Sequence, residues 1–426
     1  MLRFDYIPYP LWRRSLPDPL GRLVAPFFRL FYPVEAEQQP PATPRQMGRF
    51  MARWGLLGDM DEAEARRLMT EVPAAVEMTR GDIVPQAAPH QPVRLPAQWD
   101  TMEAILLSWP VFYPPLWALH AQLAEAITPV CEAHILVPRP TFASAIRLFL
   151  EQRGAARMDN VHFYYLPTDD IWIRDYGPFV GLDEHGQRVA VHAFYDTVQE
   201  YPQALDNAMP ERWAAHHEVP ALELHLPLEG GNLWSDGVGT LIMANTFHRQ
   251  TKLSETEALD ALREAFLFEK LIVTPHLQEE KTGHVDLLVK PANEHTILVT
   301  EPGDSLNTDV LRQTADLFRG ETNARGQRYQ VMELPALPQY FNWGAFSIWR
   351  SYTNSLTVNG RVLVPVYGVK ADEQALATYH EAMPEYEIIP IDCKIGINGG
   401  GAVHCMTKEV PAIRGNHKTE FSVRDL

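Results

Sequence analysis

Residues 352–366 read YTNSLTVNGRVLVPV, and this stretch shows the structural unit on which the fold is built. Two apolar runs flank the dipeptide Asn359–Gly360, which is typical of a two-residue turn between antiparallel strands. A helical pattern begins near Ala371, and a short apolar run at residues 387–391 follows it. The sequence therefore predicts a β-hairpin, then a helix, then a strand that returns to the same sheet.

The same order of elements recurs upstream of this unit. One predicted unit has hairpin arms at 233–234 and 240–244, a helix with Ser254 as its N-cap and a returning strand at 271–274. The next has arms at 285–289 and 296–300, a helix from about Asp309 and a strand at 329–334. Strands and helices also alternate nearer the N-terminus, with predicted strands at 104–109, 133–137 and 161–166 and helices at 116–127 and 142–151.

Polar clusters lie at matching places along these units, around Asp175, Glu229, His284, Asn354 and Cys405. Successive clusters are separated by about 50 to 70 residues, the length of one repeated structural unit. Such a period with strand, strand, helix and strand content predicts a radial arrangement, in which each unit points one loop at a common centre. The predicted fold class is therefore α/β, with ββαβ repeats around a central pocket.

The segment NGGGAVHCMTKEVP, residues 398–411, contains the candidate nucleophile. Cys405 follows a glycine run that includes Gly400 and Gly401. Cysteine attacks as a thiolate, and glycines allow backbone N–H groups and a substrate to approach the sulfur closely. The alternative is a buried cysteine beside a tight turn, and the other polar clusters favour the nucleophile.

Two further segments supply carboxylates. PTDDIWIRDYGPFV, residues 167–180, places Asp170 and Asp175 beside an aromatic wall formed by Trp172. LEGGNLWSDGVGT, residues 228–240, places Glu229 before two glycines at the start of a predicted hairpin. Taken alone, the first segment is better explained as a surface loop with an Asp–Arg pair, and Glu229 as a carboxylate in a turn.

The segment TGHVDLLV, residues 282–289, is more specific. On a predicted strand, His284 and Asp286 alternate and project from the same face, so that one can act as a base and the other as a substrate anchor. The pattern H-x-D also occurs in metal sites. The chain lacks a further ligand set such as H-E-x-x-H, and we predict no metal and no organic cofactor.

A thiol, an imidazole and several carboxylates around one pocket suit a planar cation. A guanidinium stays charged at physiological pH, donates bidentate hydrogen bonds to carboxylates at its edges and stacks on aromatic faces. Its carbon is a poor electrophile, but a positioned thiolate can attack it and a histidine can move the protons.

The five motifs resemble those of the guanidine-modifying pentein superfamily, in particular the group that joins agmatine deiminases with Porphyromonas-type peptidyl-arginine deiminases. They are W-I-R-D-x-G-P at 172–178, E-G-G-N at 229–232, G-H-V-D at 283–286, S-Y-x-N at 351–354 and G-G-G-x-x-H-C at 399–405. The resemblance spans about residues 94–411 and implies a five-bladed α/β propeller.

The same resemblance implies that Cys405, His284, Asp175 and Asp286 are catalytic, with the two aspartates holding the guanidinium. It carries Glu229, Asn354 and Asp170 over as pocket residues. The expected reaction is hydrolysis of agmatine or a similar small alkylguanidine to a ureido product and ammonia. Arginine in peptides or proteins is the rival substrate.

Substrate choice stays open at this point. Agmatine deiminases usually carry N-x-W-G after the hairpin, where this chain reads AFYDTVQEYPQ at residues 193–203. The peptidyl-arginine type carries arginines in that region, and none lies between Arg188 and Arg212 here. An amidinotransferase and a non-catalytic guanidinium-binding protein also remain possible. A papain-like protease is disfavoured because its cysteine precedes its histidine along the chain.

Composition agrees with a cationic substrate. The chain of 426 residues has 37 Lys and Arg against 54 Asp and Glu, a formal charge of −17, which disfavours nucleic acid as a partner. Its three cysteines, Cys131, Cys393 and Cys405, form no paired framework, which indicates a reducing compartment. No apolar run approaches the roughly 18 residues that span a bilayer, and we expect a cytoplasmic protein with no membrane contact.

Residues 1–92 differ from the remainder, residues 93–426, which we take as the catalytic domain. Prolines alternate with aromatic side chains, and a charged segment at 59–71 predicts a helix. The aromatic residues Trp12, Phe27, Phe28 and Phe31 could contact a protein partner, but packing on the main domain or on another subunit is the favoured use. The segment is predicted to be an N-terminal extension outside the resemblance.

Overall fold

A computed structural model describes residues 41–78, 84–88, 91–111, 114–195, 203–246, 253–280, 282–342 and 346–413. The α-helices in this part of the chain, α1 to α9 in order, are Pro44–Arg53, Glu62–Glu71, Trp117–Ile127, Pro140–Arg153, Ile173–Tyr176, Ala204–His216, Glu255–Ala265, Thr308–Gly320 and Ala371–Ala382. The strands are β1 Glu77–Met78, β2 Met102–Ser108, β3 Glu132–Val137, β4 Val161–Tyr165, β5 Phe179–Leu182, β6 Arg188–Phe194, β7 Ala221–Pro227, β8 Trp234–Ser235, β9 Thr240–Ala244, β10 Lys270–Thr274, β11 Val289–Pro291, β12 Thr296–Thr300, β13 Gln330–Leu334, β14 Tyr340–Asn342, β15 Phe346–Ile348, β16 Leu356–Val358, β17 Arg361–Val366, β18 Glu387–Asp392 and β19 Lys408–Pro411.

Four of the sheets share one plan. In each, two antiparallel strands form a hairpin, and a third strand returns after a helix to pair in parallel with the second. These sheets are β5-β6-β7, β8-β9-β10, β11-β12-β13 and β16-β17-β18. The three predicted units are confirmed, and the structure adds the unit β5-β6-β7 with α6, which sequence analysis missed.

The fifth sheet joins the two ends of the repeat array. Its order is β1-β4-β3-β2-β19, and β19 pairs antiparallel with β2, with Lys408 opposite Leu106. Strand β2 then pairs in parallel with β3, so β19, β2, α3 and β3 complete the same ββαβ plan with strands from distant parts of the chain. The predicted mixed α/β fold is confirmed, and five such sheets agree with a five-bladed propeller. Their loops can therefore meet at one axis.

Local sequence signals set several element boundaries as predicted. Ser254 caps α7, and a capping box joins it to Glu257, whose carboxylate accepts from the Ser254 backbone N–H at 2.8 Å. Asn359 and Gly360 have φ angles of 40° and 83°, the left-handed conformation that this hairpin turn requires.

Two predicted strands are shorter than expected. Residues 285–289 were predicted to be one strand, but Val285–Leu287 form a 3-10 turn and β11 begins at Val289. In the hairpin at 352–366, β16 begins only at Leu356. The backbone N–H of Thr353 donates to Ser351 Oγ at 3.2 Å instead of joining the ladder, and its hydroxyl donates to the Asp286 carbonyl at 2.8 Å. In both hairpins, the shortened end of the strand carries polar side chains that point into the protein interior.

The described part of the N-terminal segment packs on the main body. The predicted helix at 59–71 is α2, with Asp61 as its N-cap. Helix α1 was not predicted from the sequence, and its residues Met47 and Met51 are fully buried in the same hydrophobic cluster as Phe142 of α4.

The division at residue 92 stays a prediction, and so does a contact of residues 1–92 with another subunit or protein. Residues Trp12, Phe27, Phe28 and Phe31 lie outside the described residues. Among the helices described, none has both the length and the apolar character needed to cross a membrane.

Candidate active site

The loop before β19 places Cys405 against Trp172. A 3-10 turn at Gly396–Gly399 ends at Gly400, whose φ of 94° favours glycine. A Cβ atom on Gly401 would lie 2.5 Å from Trp172 Cζ3 and 3.1 Å from Cys405 Sγ. Only glycine therefore leaves the indole and the sulfur in these positions, and the structure places Trp172, Gly401 and Cys405 next to one another.

Asn354 fixes the orientation of the sulfur. Its Oδ1 accepts from the backbone N–H of His404 at 3.1 Å and of Cys405 at 3.3 Å. With the oxygen held by two donors, the amide nitrogen Nδ2 turns to Cys405 Sγ at 3.1 Å and to Asp286 Oδ2 at 3.0 Å. Asn354 thus ties the loop that carries the cysteine to the loop that carries the aspartate.

Asp286 is fully buried next to the sulfur. Its Oδ2 lies 4.0 Å from Cys405 Sγ and 2.6 Å from His404 Nδ1. Its Oδ1 has no hydrogen-bond partner among the described residues. Burial raises the pKa of Asp286 to about 7, although the neighbouring His284 charge opposes the rise. Asp286 Oδ1 is therefore a buried acceptor to which a bound ligand can donate a hydrogen bond.

His284 lies between two carboxylates. Its Nε2 is 2.5 Å from Glu229 Oε2, and its Nδ1 is 3.7 Å from Asp175 Oδ1. Burial disfavours the charged ring, but Asp175 and Glu229 outweigh it and raise the pKa of His284 to about 10. At neutral pH the side chain is therefore an imidazolium.

Gly231 permits this arrangement. Its N–H donates to Asp175 Oδ1 at 3.0 Å, and a Cβ atom at this position would lie 2.4 Å from His284 Nδ1. The motif E-G-G-N thus supplies both the carboxylate of Glu229 and the space for the imidazole.

The expected geometry of the segment G-H-V-D is wrong in one respect. His284 precedes the 3-10 turn and Asp286 lies within it, so they do not alternate on a strand. His284 turns to Glu229, whereas Asp286 turns to Asn354 and His404. A buried carboxylate that takes two donors from other loops favours the turn over a regular ladder.

The thiol of Cys405 is held in its neutral form in the structure as it stands. Burial raises the pKa of this thiol well above its ordinary value, and the charges of Asp286 and Asp175 raise it further. A cation placed between the sulfur and these carboxylates would reverse the electrostatic part of that effect.

Asp170 belongs to a different set of contacts. Its Oδ1 accepts from the Ile171 N–H at 2.7 Å, and its carbonyl accepts from Ser108 Oγ at 3.0 Å. It lines a separate cavity together with Ser108 and Trp109. These hydrogen bonds connect Asp170 to Ile171 and Ser108, and neither of them involves Cys405 or His284.

Sequence analysis missed the role of His404 in the site. Its Nδ1 contacts Asp286, its ring stacks on Trp234 at 4.3 Å, and it is fully buried. Burial, then the charge of Arg174, keeps the pKa of His404 well below its usual value, so the neutral ring donates to the Asp286 carboxylate. The dipeptide His404–Cys405 was visible in the sequence, but nothing in it indicated this contact.

The contacts of Arg174 could not be predicted from the sequence either. It forms a buried bidentate ion pair with Glu409, at 3.0 and 2.5 Å, and its Nε donates to the His404 carbonyl at 3.2 Å. The pair fastens the W-I-R-D loop to β19, next to Cys405.

Three donor atoms could also hold a metal ion. One ligand atom each from Asp175, Glu229 and His284 lies within 4.8 Å of the other two. The same carboxylates serve equally well for an organic cation, and the absence of a metal requirement stays a prediction that a chelator can test.

Comparison with known proteins agrees with this site. The model of the family described as Porphyromonas-type peptidyl-arginine deiminase matches residues 94–411, which is most of the chain. The chain belongs to this family. It is therefore a C–N hydrolase of the pentein type, acting on linear amidines.

Two relatives with curated names are described as putative agmatine deiminases. Proteins named "Putative agmatine deiminase" from Marinomonas sp. and Selenomonas ruminantium are 26% identical over 354 residues and 27% identical over 369 residues. Each alignment covers 75% of this chain, and 94% and 96% of the respective relative.

Solved structures support the fold of the family member described here. The agmatine deiminase of Enterococcus faecalis superposes with a TM-score of 0.69 at 21% identity, covering 76% of this chain and 98% of the other. A structure titled "Putative Arginine Deiminase" from Porphyromonas gingivalis gives 0.67 at 25% identity, covering 76% and 99%.

Proposed function

We propose that the protein hydrolyses a guanidine to a ureido product and ammonia, through a covalent intermediate on Cys405. The observation that carries the proposal is a pair of contact sets linked by residues 284–286. Asn354 Nδ2 contacts Cys405 Sγ and Asp286, whereas His284 contacts Glu229 and lies 3.7 Å from Asp175 Oδ1, so a thiol, an imidazolium and three carboxylates lie close together in the fold.

Binding of the cation prepares the nucleophile. Asp286 Oδ1 can accept one guanidinium N–H, and Asp175 is the second carboxylate suited to a guanidinium edge. The positive charge offsets the carboxylates that disfavour a Cys405 thiolate, so the thiol releases its proton to solvent water when the substrate binds. Trp172 forms an apolar wall next to the sulfur and limits access of water.

The first chemical step forms the C–S bond. The thiolate of Cys405 attacks the guanidinium carbon and gives a tetrahedral adduct. His284, protonated below its pKa of about 10, donates a proton to the departing nitrogen, which leaves as ammonia. A thiouronium on Cys405 remains, held by Asp286 and Asp175.

The second step releases the product. His284, now neutral, removes a proton from a water molecule as that water attacks the thiouronium carbon. As the C–S bond breaks, the carbonyl of the ureido product forms, the sulfur takes the proton of the former hydroxyl group, and the product leaves. Glu229 holds the ring in place during both proton transfers, since it contacts Nε2 and leaves the Nδ1 side turned to Asp175.

Agmatine or a similar small alkylguanidine is the substrate that we favour. The curated relatives are named as putative agmatine deiminases, and the alignment covers nearly their whole length. The net charge of −17 also favours a substrate with a second cationic group. Peptidyl arginine is the second candidate, because the matching family description names it.

Ammonia release with agmatine, free arginine and an arginyl peptide tests the proposal. We expect turnover with agmatine at a kcat/KM at least about tenfold above that with the other two, a difference of about 1.4 kcal/mol in transition-state binding. Preference for the peptide would replace agmatine by the second candidate. No ammonia from any of the three would contradict the deiminase function itself.

Two cysteine variants provide the matched control. Cys405→Ala should abolish turnover and still bind the substrate, whereas Cys393→Ala removes an equally buried thiol of the same hydrophobic cluster and should keep turnover. Equal turnover in both variants would refute Cys405 as the nucleophile.

A further inference from the structure

A polar cavity lies beside the W-I-R-D loop and β19. Its volume is about 40 Å³, and its walls include Gln98, Lys408 and Glu409 together with Phe179 and Trp234. An ordered water needs roughly 10 to 15 Å³, so the cavity can hold a monatomic ion with one or two waters. None of the residues proposed above for catalysis lines this cavity.

Gln98 has hydrogen-bond donors that no described group uses. The side chain is 4% exposed, and its Oε1 accepts from Lys290 Nζ at 2.5 Å and from the Thr357 N–H at 3.1 Å. Two donors fix the oxygen on that side, so the orientation of the amide is determined. Nε2 has no partner among the described residues, and a buried donor without an acceptor is unfavourable.

Lys408 is the second donor at the cavity. It is 3% exposed, its Nζ donates to the Arg174 carbonyl at 3.1 Å and it lies 4.0 Å from the centre of the Phe179 ring. An ammonium has three N–H groups, and no carboxylate lies within salt-bridge distance of this one among the described residues. Its partners are therefore neutral groups.

Among the described residues, the charges around the cavity leave no free carboxylate for its lysines. Glu409 lines it too, but both of its oxygens bind Arg174, so these two charges offset each other. Lys290 is fully buried behind Gln98, with the Ser355 carbonyl and the Trp234 ring as its other partners. Burial lowers the pKa of Lys408 to about 7 and that of Lys290 well below its usual value, so both ammonium groups lose their protons readily unless an anion lies beside them.

We propose that this cavity binds a small inorganic anion of halide size, held by Lys408 Nζ and Gln98 Nε2. The ion would satisfy the free amide donors and supply the counter-charge for the lysines. Since the cavity wall combines β8, β19 and the segment at 95–98, the ion would link three parts of the propeller close to the Arg174–Glu409 pair. Its role would be to stabilise the closure of the ring.

Crystals of the full chain grown in sodium bromide give the direct test. We expect an anomalous difference peak within about 3.5 Å of both Lys408 Nζ and Gln98 Nε2, the range of a hydrogen bond to a large anion. Electron density for water molecules alone, without anomalous signal, would overturn the proposal.

Thermal unfolding gives an independent test in solution. Chloride that binds only the folded state should raise Tm with each tenfold increase in concentration, compared with gluconate at equal ionic strength. Gln98→Glu keeps the acceptor for Lys290 and adds a carboxylate in place of the amide donors, so the chloride effect should disappear. Gln374→Glu, which makes the same change on the exposed face of α9, should keep it. An equal chloride effect in the two variants, or no effect in the parent protein, would contradict the anion site.

Discussion

The effect of replacing Glu229 by glutamine can be worked out closely from the structure. His284 Nε2 lies 2.5 Å from Glu229 Oε2, and Nδ1 lies 3.7 Å from Asp175 Oδ1. Against the opposing effect of burial, these carboxylates raise the pKa of His284 from 6.5 to about 10. At about 1.36 kcal/mol for each pKa unit, the site favours the imidazolium by about 5 kcal/mol.

Glu229→Gln keeps the shape of the side chain and removes its charge. One carboxylate in direct contact contributes about 1 to 3 pKa units, so the pKa of His284 should fall by that amount. The imidazolium is the general acid, and it exists only below its pKa. Activity is therefore lost as pH rises through this pKa, and in the variant the loss should begin about 1 to 3 pH units lower.

The assay is kcat/KM for ammonia release, measured from about pH 5 to pH 11, because this ratio reports groups of the free enzyme. Glu223→Gln removes an exposed carboxylate on β7 and should leave the profile unchanged. An alkaline limb at the same pH in Glu229→Gln as in the parent protein, or at a higher one, would refute the electrostatic role given to Glu229.

Other consequences can be measured with simple variants. Gly231→Ala should lower kcat/KM by about a hundredfold, because the added Cβ would lie 2.4 Å from His284 Nδ1. Gly320→Ala, where no atom lies within 4 Å of the added Cβ, is the control and should match the parent protein. Equal kinetics in the two variants would contradict the predicted clash with His284. Met51→Ala should reduce the free energy of unfolding by about 2 to 5 kcal/mol in urea denaturation, since the side chain is fully buried, and no loss would show that α1 does not pack on the body. Dialysis against a chelator should leave ammonia release unchanged, and a loss that added zinc restores would assign Asp175, Glu229 and His284 to a metal.

The repeated units of the fold were predictable because their signals are local. The dipeptide Asn359–Gly360 fixes a hairpin and Ser254 fixes a helix start, and neither depends on distant residues. The unit β5-β6-β7 was missed, although it follows the same ββαβ plan as the others. The pairing of β19 with β2 was also beyond reach, because partners so distant along the chain leave no mark in a single sequence.

The candidate site shows the same division. The types of residue, cysteine, histidine and carboxylate, were readable from motifs, whereas their pairing was not. His284 contacts Glu229, and Asp286 contacts His404. These pairs could not be predicted, because they depend on how the five sheets bring their loops together. Asp170 entered the prediction through the family resemblance, whereas its Oδ1 accepts from the Ile171 N–H and its carbonyl accepts from Ser108 Oγ.

Mass spectrometry of the enzyme quenched in acid during turnover tests the central claim, that Cys405 forms a bond with the guanidine carbon. The account predicts protein whose mass has increased by that of the substrate less one ammonia, with the modification on the peptide that contains Cys405. Steady ammonia release with a modification on any other residue, or with an identical adduct in Cys405→Ala, would contradict it.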